Sequence, residues 1–208
     1  QGRWRDSNLV RWFDDTLRPI GGWRTRSDTA SAGQVRGMHS WIDNSSDRWI
    51  SAGSYNKLYI YSGAGIQYDI TPTGFTAGNE NALQPVGYGN SFYGQEYYGT
   101  ARQESVTITP ATTWSSDSWG QYLVACSSSD GKVYEWQLNT GTIAAVIANA
   151  PVNNRSILVT EERFLMCLGA GGNPRLVQWS DREDNTVWTP AATNEAGSLE
   201  LQTTGRIQ

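Results

Sequence analysis

Short runs of alternating apolar and polar residues, broken by Gly, Asn, Asp, Ser or Pro, make up most of this chain, a pattern of strands and tight turns. Val35–Ile42, Arg48–Gly53, Leu58–Tyr61 and Ile66–Ile70 predict four strands, separated by the turn signals Asp43–Ser46, Ser54–Asn56 and Ser62–Gly65. Four strands in about forty residues is the size of one β-propeller blade, and Pro72 and Gly74 close the unit. Strand signals resume at Ser105–Thr109 and open a second unit. Its inner strands are Tyr122–Cys126 and Lys132–Leu138, turned by Asp130-Gly131, and Thr142–Ala148 is an outer strand. A third unit runs Ser156–Thr160, Arg163–Leu168, Arg175–Ser180 and Thr186–Trp188, with Gly169–Pro174 as one turn. Trp49, Tyr122 and Phe164 fall at comparable places in the three units, as do Tyr59, Tyr134 and Val177. Gly197–Ile207 reads as the opening strand of a fourth unit. Three and a fraction repeats would leave a propeller ring open, to be completed by the N-terminal hairpin or by further chain.

Ahead of the repeats, Asn8–Phe13 and Thr16–Trp23 predict a hairpin around Asp14–Asp15. Its arginines alternate with Trp4, Trp12 and Trp23, a pattern that suits nucleic-acid stacking, but the interleaved Asp6, Asp14 and Asp15 favour a surface hairpin with Arg stacked on Trp and paired with acids. Thr76–Gly99 differs in kind: it is rich in Gly, Asn and Tyr and has no period. It reads as an insertion whose Tyr88, Phe92, Tyr93, Tyr97 and Tyr98 either contact a partner or fold back on the domain. The expected organisation is a hairpin segment at 1–33 and a β-propeller-like domain at 34–208 with an insertion at about 76–104.

Composition sharpens the class. Ten Trp, ten Tyr and 22 Gly beside two Met and one His point to an all-β protein, and 208 residues suffice for one large domain or two small ones. Cys126 and Cys167 lie in apolar runs and are expected as buried thiols. No stretch approaches the ~20 apolar residues of a membrane span, and no signal-peptide pattern is present. The chain opens on Gln1 and stops after a strand-like run, which is the expectation for part of something longer. Net charge is −4 but uneven: residues 1–36 hold seven Arg against four Asp, and the remainder nine bases against sixteen acids. An acidic body argues against tight DNA binding and suits a surface that DNA slides past.

The residues offer little catalytic chemistry. His39 is the sole histidine, with no second His or nearby Cys to found a zinc site or a triad, so a hydrogen-bonded structural or surface histidine is expected. Asp181, Glu183 and Asp184 share a turn but lack the DxDxDG ladder of calcium loops. No two of the twenty acids stand out as a glycosidase pair, and there is no GxGxxG, Walker loop or GxSxG. Exposed Trp on an all-β domain could hold sugar, although packing between blades accounts for them more economically. The expectation is a non-enzymatic chain with no catalytic residue, metal or cofactor.

GRWRDSNLVRWFDDTLRPIGGW (residues 2–23) resembles the opening segment of structural proteins of short bacteriophage tails, matching at Gly2, Trp4, Asn8, Val10, Arg11, Ile20, Gly21, Gly22 and Trp23. It departs at Trp12, where Phe is usual, and at Asp15, where Gly is usual. LYIYSGAGIQYDITP (58–72) is similar to that family's strand–turn–strand ending in D-I-T-P, and VQWSDREDNTVWTPAATNEAGSLELQ (177–202) to its W-S-D-x-x-D-x-x-x-W-x-P-x-x-x-N-x-A-G repeat. The structural signature so matched includes Trp23, Asp69, Pro72, Trp179, Asp181, Trp188, Asn194 and Gly197. The family is that of tail nozzle or hub proteins, similar to tail tubular protein B and packaged-DNA stabilisation proteins. The resemblance implies a structural chain of the virion, assembled in the host cytoplasm into a hexameric ring through which DNA is ejected without sequence-specific binding. It also implies a tail adaptor and fibre or needle proteins as partners. Arg3, Arg5, Arg11 and the tyrosine-rich run are the candidate contacts. The alternative is a glycan- or receptor-binding propeller module, with a propeller hydrolase third.

Overall fold

A computed structural model describes residues 8–22, 24–27, 29–83, 109–205 and 207. The chain is all-β. A two-stranded hairpin, β1 (Val10–Phe13) and β2 (Thr16–Pro19), precedes three four-stranded sheets. The first contains β3 (Met38–Ile42), β4 (Arg48–Gly53), β5 (Leu58–Ser62) and β6 (Gln67–Asp69). The second contains β7 (Trp114–Trp119), β8 (Tyr122–Ser127), β9 (Val133–Trp136) and β10 (Ala145–Val146), and the third β11 (Ser156–Val159), β12 (Leu165–Leu168), β13 (Leu176–Trp179) and β14 (Gly197–Glu200). Each is an antiparallel meander in chain order. β3 lies against β7 and β7 against β11, so the first strands stand side by side and the sheets stack face to face like blades.

The core lies between sheets. Trp41, Leu58 and Ile60 of the first sheet meet Leu123, Tyr134 and Trp136 of the second. Trp119, Val124, Cys126 and Val133 of the second meet Ile157, Leu165 and Cys167 of the third. Successive residues of a strand point to opposite faces, so β8 divides its side chains, Leu123 and Ala125 to one cluster and Val124 and Cys126 to the other. That two-sided burial is why YLVACS reads as an unbroken apolar run. Both cysteines are buried free thiols, as expected from the sequence, and burial pushes the Cys126 thiol up to about 12.

Four expectations need correction. The second sheet opens at Trp114–Trp119; residues 105–108 lie outside the described residues, and Thr109 only bridges to Leu83. WSSDSW hides its strand character because its polar side chains are used between sheets. The Ser115 hydroxyl donates to the Ile157 carbonyl (2.8 Å), and the Asp117 carboxylate accepts the Val159 N–H (2.8 Å). Gly197–Glu200 is the outer strand of the third sheet, paired with β13 from Leu176↔Glu200 to Trp179↔Gly197, and not the start of a fourth unit. Thr186–Trp188 is not that outer strand: the Thr186 N–H is taken by the Asp184 carboxylate (2.9 Å), and Trp188 turns into the core. Finally, Val177 is not the counterpart of Tyr59 and Tyr134. Ala52↔Tyr59, Ala125↔Tyr134 and Cys167↔Gln178 are the equivalent pairs, and a one-residue slip puts Val177 on the opposite face.

The hairpin forms as expected, with ends trimmed to Val10 and Pro19, and stands as its own sheet. Asp14 and Asp15 both take positive φ (46° and 55°), the two-residue turn whose twist matches paired strands. Of the Thr76–Gly99 insertion, the part up to Leu83 is held to the body: Gly78 N–H donates to Tyr55 O (2.9 Å), and Asn79 O accepts Thr112 N–H (2.9 Å).

Candidate functional site

The charged turn after β13 is a network of hydrogen bonds. Asp181 N–H donates to Val187 O (2.8 Å), and the Asp181 Oδ1 accepts the amides of Arg182 and Glu195 (2.8 Å each). Trp179 Nε1 donates to Glu195 O (2.8 Å), and the buried Trp188 Nε1 donates to Asn185 O (2.7 Å). Asn194 ties the next turn by accepting Ala191 N–H and donating to Thr189 O (2.9 Å each). Gly197 completes the knot: a Cβ there would sit 2.5 Å from Trp179 Cζ2, so only glycine lets β14 pass under the indole. Asp184 is held below the usual carboxylate range by the hydroxyl and amide of Thr186.

Asp181, Trp188, Asn194 and Gly197 are thus gathered with Trp179 around this turn, and the side-chain hydrogen bonds of Asp181, Trp188, Asn194 and Trp179 go to backbone amides and carbonyls of the turn and its continuation. Among the described residues, no group of three or more His, Cys, Asp or Glu could hold a metal ion. Asp181→Ala should cost about 1–2 kcal/mol in urea unfolding, because two amides lose their shared acceptor at the edge of the sheet. An unchanged midpoint would mean that Trp188 and Asn194 hold the turn by themselves.

The D-I-T-P stretch has the same character. Burial pushes the Asp69 carboxyl up, but hydrogen bonds from Lys57 and Thr71 outweigh it and hold the group below the usual range. Lys57 Nζ lies 2.8 Å from Asp69, Ile70 is fully buried and Pro72 is buried.

Of the candidate contacts, Arg11 is exposed on the hairpin, where Arg11 and Arg18 lie 5.6 and 5.2 Å from the Phe13 ring centroid. Trp12 on the opposite face is 64% exposed. Arg3, Arg5, Trp23, Tyr88, Phe92, Tyr93, Tyr97 and Tyr98 lie outside the described residues.

Sequence reasoning gave His39 a structural or surface role but missed its partner. Its Nε2 is 2.8 Å from Ser118 Oγ across the first junction, and its ring stacks on Trp41 (5.8 Å between centroids). Burial lowers its pKa, and the Asp117 charge only partly opposes this. Folding therefore favours neutral His39. Its stabilising contribution is fully present above the unfolded value of about 6.5 and is lost as pH falls from there through the folded value. No other side chain here ordinarily titrates in that window, since His39 is the sole histidine. Urea midpoints of the native chain should fall between pH 7.5 and 5.5, and those of His39→Gln should stay level.

Sequence reasoning also missed the two outer faces of the stack. On the first sheet, Met38, Ile50 and Tyr61 line a groove of about 520 Å³ beside Arg26 and Arg48. On the third, Met166, Leu168, Val177 and Trp179 are half-exposed and Leu199 is 57% exposed. Register parity between the repeats is the signal that would have found them. Comparison with family models, with curated proteins and with solved structures finds no match to this chain.

Proposed function

We propose that this chain is a structural component of a short phage tail, part of a nozzle or hub ring that conducts DNA and carries other tail parts. The observation that carries this reading is the state of its signature residues. Asp181, Trp188, Asn194 and Gly197, which match the tail-protein repeat, all fasten one blade-like turn through backbone hydrogen bonds and close packing. A repeat whose diagnostic residues hold the sheet together suits a part that works by shape and assembly. The three stacked meanders support a β-propeller-like module within that part. The acidic body supports a conduit wall that DNA passes without sticking, and the hairpin's Arg11, Phe13 and Trp12 supply a contact arm.

Negative-stain images of the purified chain at micromolar concentration test the reading. Rings with a central channel wide enough for duplex DNA are expected, and removing residues 84–99 should weaken those rings while leaving the circular dichroism spectrum intact. Single chains that instead bind members of a glycan array would overturn it in favour of a receptor-binding module.

A further inference from the structure

We infer that the two outer faces of the sheet stack are one interface in two halves: the third sheet of one chain docks on the first sheet of a second copy. The internal repeat alone points to this contact, whatever the tail assignment.

The second sheet uses one face toward the first sheet and the other toward the third, and the strand register identifies the equivalent positions of the other two. Leu123 and Trp136, by which the second sheet meets the first, are each 1% exposed. Their equivalents in the first sheet are Ile50 and Tyr61, half-exposed along the groove with Met38, which is 66% exposed. Val124, Cys126 and Val133, by which the second sheet meets the third, are 0–1% exposed. Their equivalents in the third sheet are Met166, Leu168 and Val177, half-exposed with Trp179 beside them. Each open face is therefore a face that this same repeat covers elsewhere with its own complement.

The rim agrees. The first residue before β8 and its counterpart before β12 reach back to the preceding sheet: Gln121 O accepts Trp41 Nε1 (3.0 Å), and the Arg163 guanidinium lies 5.1 Å from the Trp119 ring centroid. Arg48, the first residue of β4, holds the equivalent register position and is exposed. In a docked copy it would meet the end of β11, where Thr160 stands in for Trp41 and Trp119 and is followed by the exposed Glu161 and Glu162. The pairing is complementary in charge. Among the described residues, 24–27 and 29–33 cover the Tyr59 end of the first sheet, where the Ala32 N–H donates to the Tyr59 hydroxyl (3.1 Å), and border the groove at Arg26 and Ser27.

A head-to-tail contact either closes or propagates. Two chains bring six sheets round one axis, within the range of about four to eight at which propellers close, whereas three chains exceed it. A closed pair is the smallest unit this contact can build, and the rings expected above would be assembled from such units.

Sedimentation equilibrium from sub-micromolar to hundreds of micromolar tests this, with three samples: the native chain, Val177→Glu on the third sheet and Ile50→Glu on the first. Circular dichroism melts establish that each variant folds. The native chain should reach at least twice its 23.0 kDa mass, and each variant should dissociate at least tenfold more readily. Mixing the two variants should restore pairs, because the mixture retains one intact junction. Arg48→Glu should weaken pairing, and Glu161→Lys with Glu162→Lys in the same chain should recover it. A native chain that stays monomeric throughout overturns the inference, as does a pair indifferent to both substitutions or one that mixing fails to rescue. Larger rings that survive both substitutions would overturn it while supporting the tail assignment.

Discussion

Trp136→Ala should lower the unfolding free energy by about 3–5 kcal/mol, the range for deleting a buried aromatic side chain. Trp136 is 1% exposed and fills the junction between the first and second sheets. It meets Trp49 and Trp41 edge-on, at 5.4 and 6.5 Å between centroids. Its Nε1 donates to the carbonyls of Asn139 and Thr142 (3.0 and 3.2 Å), so truncation opens a cavity and also strands two acceptors in the link to β10. Trp136→Phe should lose less, since it keeps one ring in place but not the N–H. Urea denaturation followed by far-ultraviolet circular dichroism measures both, and a loss below about 1 kcal/mol for the alanine variant would mean that the junction collapses around the gap.

Gly131→Ala should cost about 3 kcal/mol although it adds one carbon. Gly131 has φ 62°, where a side chain strains the backbone. A Cβ there would also lie 2.4 Å from Asn153 Cα and 2.5 Å from Asn154 N, backbone atoms that cannot rotate aside. Its carbonyl accepts both the amide (2.9 Å) and the side chain (2.8 Å) of Asn154, the residue that leads into the third sheet. The substitution should therefore lower the melting temperature and loosen the third sheet first. Hydrogen exchange in β11 faster than in β4 would show that order, and uniform exchange would argue against it.

The sequence showed the hairpin, most strands of the three sheets and the buried thiols, because these follow from alternation and turn residues. Asp130-Gly131 reads as a turn from composition alone; that its carbonyl fastens the next sheet does not, since Asn154 is remote in sequence. β7 stayed hidden because Ser115 and Asp117 satisfy groups on β11, and a polar side chain used between sheets is indistinguishable in sequence from one facing water. The outer strand of the third sheet was misplaced because Thr186–Trp188 has strand-like residues whose amide and indole are spent locally. For the candidate site, the matched residues were legible as a set, but their chemistry was not. Asp181 looked like part of an acidic cluster, and only the geometry shows its carboxylate capping Arg182 and Glu195.

β8 belongs to two cores at once, Leu123 and Ala125 to one and Val124 and Cys126 to the other. Each of the two core clusters joins a flanking sheet to the middle one, and neither lies within a flanking sheet alone. Stability in such a stack resides in nearest-neighbour interfaces, and melting the middle sheet removes both of them. The three sheets are therefore coupled through the middle one, whose β7 and β9 also send side chains into both cores.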